Sequence, residues 1–162
     1  MNYRTMSILA LLAASAAQAT TYYAASNGAA DADCLTPQTA GTLDLAVSKA
    51  TANGDIVQLA AGDYDRSASP VTLSVAGITL KGATDDPTQT VLIGPGTAKS
   101  MTGVVVTKKA TVRDLTIRNF YITSQGGAAV AGANAAKTPA SNLTAVNCRI
   151  ENNITKNSRY NT

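Results

Sequence analysis

The chain has 162 residues, a length that suits one domain or the opening of a larger one. Its histidine count is 0, which excludes imidazole general bases, Ser-His-Asp and Cys-His arrangements, and most zinc sites. Aromatics at 4% and charged residues at 14% imply a core of small and β-branched side chains under a weakly charged surface, and a net charge of +3 gives no reason to expect a nucleic acid partner.

Residues 1–19 read as a signal peptide: Arg4, then the short apolar run Ile8 to Ala14, then the small-x-small site Ala17-Gln18-Ala19. The run is shorter than the about 20 apolar residues of a membrane helix, and no later segment is longer. The mature chain, residues 20–162, is therefore expected to carry no integral membrane segment and to be secreted, with extracellular space, cell surface and periplasm as destinations. Cys34 and Cys148 enter a compartment where disulfides persist, and two readings stay open for them: a bridge, or buried thiols acting as small hydrophobes.

Thr20 to Ala24 is a short β-prone segment, and Ser26 to Asp33 is rich in turn residues. Leu43, Ala46, Val47 and Ala50 then recur at helical spacing, with Thr42 as N-cap and Asn53-Gly54 as the stop. Beyond this helix the chain reads as short strands. Val57-Gln58-Leu59, Ile78-Thr79-Leu80, Leu115-Thr116-Ile117 and Cys148-Arg149-Ile150 share an apolar-polar-apolar phase. The last three are each followed by a charged residue and then one tolerant of left-handed backbone: Lys81-Gly82, Arg118-Asn119, Glu151-Asn152. Val91 to Ile93 and Val104 to Val106 read as further strands, and Ala131 to Ser141 as a loop without strand pattern.

The Asn-Gly pairs do not join alternating strands, so hairpins are not indicated. The expected fold is all-β, a right-handed parallel β-helix: a solenoid in which each triplet stacks on the last about 4.8 Å away, with the helix capping the N-terminal end. Asn119 and Asn152 are expected to stack as an internal ladder. No matching cap follows Glu151-Asn152, so residues 20–162 are expected to be the N-terminal cap and first coils of a longer protein.

The run from Ala46 to Tyr64, with Gly54-Asp55-Ile56-Val57 and Gly62-Asp63-Tyr64, followed by Gly77-Ile78-Thr79-Leu80-Lys81-Gly82, resembles the opening of pectin-lyase-like right-handed parallel β-helix proteins. Gly126-Gly127 and Asn152-Asn153 resemble the looser repeats of surface-displayed members, enzymes and adhesins alike. The resemblance implies a secreted or surface-displayed protein that binds or processes acidic polysaccharide. If it is an enzyme, the class is a polysaccharide lyase or glycoside hydrolase; the alternative is a non-catalytic adhesin or autotransporter-type passenger.

No catalytic residue of that family can be matched here. The residues nominated for substrate binding are Lys81, Arg118 and neighbouring Arg149, read as an outward cationic column, with Tyr121 to stack on a sugar ring. Read without the resemblance, outward charges are solvated edge protection, and Glu151 beside Arg118 is a cross-strand pair. Calcium is the one cofactor considered, at Asp31, Asp33 and Asn27, at Asp63 and Asp65, or at Asp85 and Asp86; turn formation explains the same residues. Asn142 and Asn153 stand in formal glycosylation sequons. Oligomeric state is left unassigned.

Overall fold

A computed structural model describes residues 18–123, 127–132 and 143–156. Within them lies one α-helix, α1 (Leu43–Lys49), and all paired strands run parallel. A five-stranded sheet has the order β1 (Thr21–Ala29), β2 (Ile56–Leu59), β5 (Ile78–Lys81), β8 (Ala110–Arg113) and β12 (Leu143–Val146). A four-stranded sheet runs β3 (Gly62–Asp65), β6 (Thr90–Ile93), β9 (Thr116–Arg118) and β13 (Arg149–Glu151). A three-stranded sheet holds β4 (Val71–Leu73), β7 (Val104–Val106) and β11 (Val130–Gly132), and β10 (Tyr121–Ile122) pairs with β14 (Ile154–Thr155).

This corrects the expected all-β right-handed parallel β-helix. The strands divide into separate parallel sheets of five, four, three and two strands beside a helix, an α/β-type arrangement in which no single solenoid is defined. The reason lies in which residues pair. The four triplets taken as one repeating side do not share a sheet: Val57 to Leu59 and Ile78 to Leu80 lie in the five-stranded sheet, while Thr116, Ile117, Arg149 and Ile150 belong to the four-stranded one. The register partner of Ile78 is Ala110, whose strand stood outside the triplet series.

Small aliphatic side chains fill the space between the sheets. Val57, Leu80 and Val112 lie side by side in register and are fully buried, as are Leu92 and Ile117 in the neighbouring sheet. Each such side chain contributes roughly 1.5–3 kcal/mol by leaving water. Phe120, the only phenylalanine, is fully buried, and a Cβ at Gly94 or Gly103 would come within 2.6–2.8 Å of its ring. Glycine at those two positions makes room for the Phe120 ring in the core.

Helix α1 forms as its periodicity requires. Thr42 is extended (φ −63°, ψ 156°) and its hydroxyl accepts from Leu45 N–H at 3.3 Å, an N-cap that satisfies one otherwise orphaned donor. Leu43, Ala46 and Ala50 are buried, and the helix packs on β1, β2 and β4. Arg66, its side chain 8% exposed, ties it down: the guanidinium donates to both Asp44 carboxylate oxygens and to Ser69 Oγ and Pro70 O. Strand β1 is longer than expected, running through Asn27-Gly28 because Gly28 lies directly against the Gly41 carbonyl.

The corner residues are only partly as expected. Asn119 and Asn152 take left-handed backbone (φ 63° and 50°), and so do Asp114 and Asn147 (φ 59° and 49°). Gly82 is needed for another reason: a Cβ there would meet Asp114 O at 1.7 Å. No Asn119–Asn152 side-chain bond joins the corners. The corner bond runs from Asn147 Nδ2 to Asp114 Oδ1 (3.0 Å), and Asn153 is the residue that turns inward, donating to Ile117 O and accepting from Phe120 N–H. The amide of that sequon is thus spent within the fold. Both cysteines are free thiols: Cys34 is buried, and Cys148 donates to Val112 O and Val146 O, with burial pushing its thiol pKa up. Residues 1–17 of the expected signal peptide 1–19, residues 133–141 of the loop Ala131 to Ser141, and Asn142 of its sequon lie outside the described residues.

Candidate functional site

The five-stranded sheet presents one face to the core and one outward, and its register decides which outward side chains become neighbours. Tyr23 pairs with Gln58, Gln58 with Lys81, and Lys81 with Arg113. Inward residues Leu59, Leu80 and Val112 are buried on the other face, so the four partners form an outward row about 14 Å long at the ordinary strand spacing. A second outward row runs beside it: Thr21, Ile56, Thr79, Thr111 and Thr144.

The cationic end of the row is held in place from below. Asp114, 2% exposed, accepts from Arg113 Nε at 2.6 Å and from Asn147 Nδ2 at 3.0 Å. Burial works against its ionisation, but the hydrogen bonds from Arg113 and Asn147 and the charges of Arg113 and Lys81 outweigh it and hold the carboxyl below its usual range. Arg113 is thereby anchored through Nε while its side chain remains 43% exposed, and the anchor leaves the terminal nitrogens of the fork for a ligand. Among the described residues, Lys81 takes part in no ion pair.

At the other end, Gln58 Nε2 donates to Gly82 O and Leu59 O, which orients its amide. A cleft of about 240 Å³ opens there, lined by Tyr23, Gln58, Pro37, Ala40, Ala60 and Ala83 among others. Pockets that enclose a whole small molecule run from about 300 Å³ upward, so this one suits a single ring of something longer.

The nominated residues do not come together as expected. Lys81 is in the row just described. Arg118 and Arg149 belong to the four-stranded sheet, where Arg118 lies opposite Glu151 and Arg149 opposite Thr116. Arg118 reaches Asp63 at 3.8 Å, and Arg149 pairs with Glu151 on its own strand. Tyr121 is on β10 in the two-stranded sheet, half-buried, its carbonyl accepting from Met101 N–H. The proposed Lys81–Arg118–Arg149 column is therefore corrected to Lys81–Arg113. Arg113 was missed, although a signal existed: Ala110-Thr111-Val112-Arg113 matches Ile78-Thr79-Leu80-Lys81 class by class.

Three of the calcium candidates, Asp33, Asp65 and Asp86, are occupied with turn chemistry. Asp33 accepts from Leu35 N–H and Thr39 Oγ, Asp65 from Ser67 N–H, and Asp86 from Thr88 N–H and Oγ. These bonds hold all three carboxyls below their usual pKa range. Calcium needs about 6–8 oxygens in one cage. Among the described residues no three carboxylate or cysteine groups converge. No helix among the described residues is long and apolar enough to cross a membrane. Comparison with family models, curated proteins and solved structures finds no match to this chain.

Proposed function

We propose that this is an exported protein that binds an acidic polysaccharide along the Tyr23–Gln58–Lys81–Arg113 row. The observation that carries the reading is the strand register, which aligns an aromatic ring, an amide and two cations at even spacing on one face. An extended polyanion with regularly spaced carboxylates or sulfates matches such a row. Lys81 and Arg113 meet its charges, the Thr79 and Thr111 hydroxyls beside them exchange hydrogen bonds with sugar hydroxyls, and Tyr23 stacks on a ring over the small cleft. Preorganisation favours Arg113, since the buried Asp114 fixes its fork before any ligand arrives.

A second reading, a structural or adhesive role at a cell surface, is favoured by the exposed apolar side chains Val146, Ile150 and Ile154 among the described residues. The two are separated by affinity electrophoresis through gels containing polygalacturonate, alginate or chondroitin sulfate, with a neutral glucan as reference. Retardation by at least one acidic polymer, weakened by salt and absent in the neutral gel, is expected. Unchanged mobility in all of them refutes the proposal. Ultraviolet absorbance of unsaturated products in the same mixtures distinguishes a lyase from a binder.

A further inference from the structure

The cleft at the aromatic end of the row differs in chemistry from the cationic end. Pro37 and Ala40 reach it from the segment after β1, Ala60 and Ala83 from the turns after β2 and β5, and among the described residues no charged side chain lines it. Backbone groups around it are satisfied from within. Ala24 O accepts from Ala60 N–H at 2.8 Å and from the Tyr64 hydroxyl at 2.9 Å, Ala60 O accepts from the Tyr64 hydroxyl at 3.1 Å and from Thr90 Oγ1, and Ala83 N–H donates to Thr90 Oγ1 at 2.9 Å. A surface whose polar groups are spent in this way offers contact area but few hydrogen bonds, so it favours an apolar group. One acceptor remains: Gln58 turns Nε2 to Gly82 O and Leu59 O, and among the described residues no donor meets its Oε1.

We propose that this cleft selects an N-acetylated amino sugar, so that the polysaccharide bound is one in which acetamido sugars alternate with acidic ones; the inference rests on the Tyr23–Gln58–Lys81–Arg113 row being the binding face. The acetamido group matches the cleft in both its parts. Its methyl covers the alanine and proline side chains, its N–H donates to Gln58 Oε1, and its carbonyl is left to solvent. A carboxylate in the same place would give up water without gaining a cation, which sets the cleft against an acidic sugar. The cations begin one strand further along: Lys81 lies about 4.8 Å from Gln58 and Arg113 about 10 Å, so the acid belongs on the next sugar in line. A polymer acidic at every residue cannot satisfy both ends of the row at once. With about 240 Å³ the cleft takes one sugar and its substituent, against whose ring Tyr23 packs.

The test is affinity electrophoresis of the purified chain, at constant salt, in gels of unsulfated chondroitin, polygalacturonate, alginate, and chondroitin whose acetamido groups have been exchanged for N-sulfonates. Charge alone orders these polymers the other way, since unsulfated chondroitin is acidic only at every second sugar and is the least charged of them. Wild type is expected to bind chondroitin at least about fourfold more tightly than each of the others, the gain that follows from burying one methyl. Gln58→Met removes the acceptor and Ala60→Leu fills the cleft, and each is expected to bring that ratio to one or below, with folding followed by circular dichroism. Chondroitin bound no more tightly than the other acidic polymers overturns the inference while leaving the row as a polyanion site. Retardation by no acidic polymer removes the row reading itself, and this inference with it. A preference retained by both folded variants overturns the cleft as its source. Where a variant does not fold, the exchange of acetamido for N-sulfonate along one polymer decides on wild type alone.

Discussion

The two ends of the molecule are built from the same parallel strands but are finished differently. At one end β1, β3 and β4 are the outermost strands; α1 packs on β1 and β4, and the segment from Cys34 to Thr42 accepts and donates along β1. Leu43 and Ala46 are buried there, and the Arg66 guanidinium is sealed between Asp44 and the chain at Ser69 and Pro70. At the other end β12, β13 and β14 are outermost, and Val146, Ile150 and Ile154 are exposed. The contrast teaches that an edge strand is closed by local sequence where a capped helix and a turn-rich segment follow it closely.

The largest difference between the ends is expected from truncating core contacts. Leu43→Ala removes a 97%-buried side chain beneath α1 and should cost about 2–4 kcal/mol in urea unfolding, enough to separate the helix from β1 and β4. A loss under about 1 kcal/mol would mean that α1 does not seal that end.

Tyr64 gives the next effect. Its hydroxyl donates to Ala24 O (2.9 Å) and Ala60 O (3.1 Å), joining β3 to β1, and burial raises its pKa from 10.0 to about 12. The folded state holds this proton more tightly than the unfolded chain does. The associated stability is therefore complete below pH 10 and is lost as pH rises toward about 12, on the order of 2 kcal/mol. Alkaline unfolding of wild type and Tyr64→Phe, compared between those limits, should show the steeper loss in wild type; equal slopes would remove Tyr64 from the account.

The smallest effect belongs to the other end. Ile150→Ala should change stability by no more than about 0.5 kcal/mol, because the side chain is 56% exposed. A loss comparable to that of Leu43→Ala would show the two ends to be equally closed.

What the sequence disclosed follows the range of the interactions. The helix at Leu43 to Lys49, its Thr42 cap and its buried face are local matters of spacing and one hydroxyl, and they were legible. The short apolar-polar-apolar strands were legible for the same reason. Which strand lies beside which was not, because partners such as Lys81 and Arg113 are brought together by connections that carry strands of the other sheets, and their alignment depends on the length of each connection. Counting triplets alone skipped β8 and joined residues of two sheets into one column. Hence Lys81 was nominated without its register partner Arg113, and Arg118 and Arg149 were assigned to a face they do not share with Lys81. Asp114 was also invisible, since its role rests on left-handed backbone and on Asn147 thirty-three positions away.

The central claim is that the five-stranded face, and not the four-stranded one, carries the ligand. Affinity electrophoresis in the acidic polymer that retards wild type most, run on Lys81→Gln/Arg113→Gln beside Arg118→Gln/Arg149→Gln, tests it with the same loss of charge in each. The first pair should abolish the retardation and the second should leave most of it. Loss in the second pair with retention in the first would contradict the account.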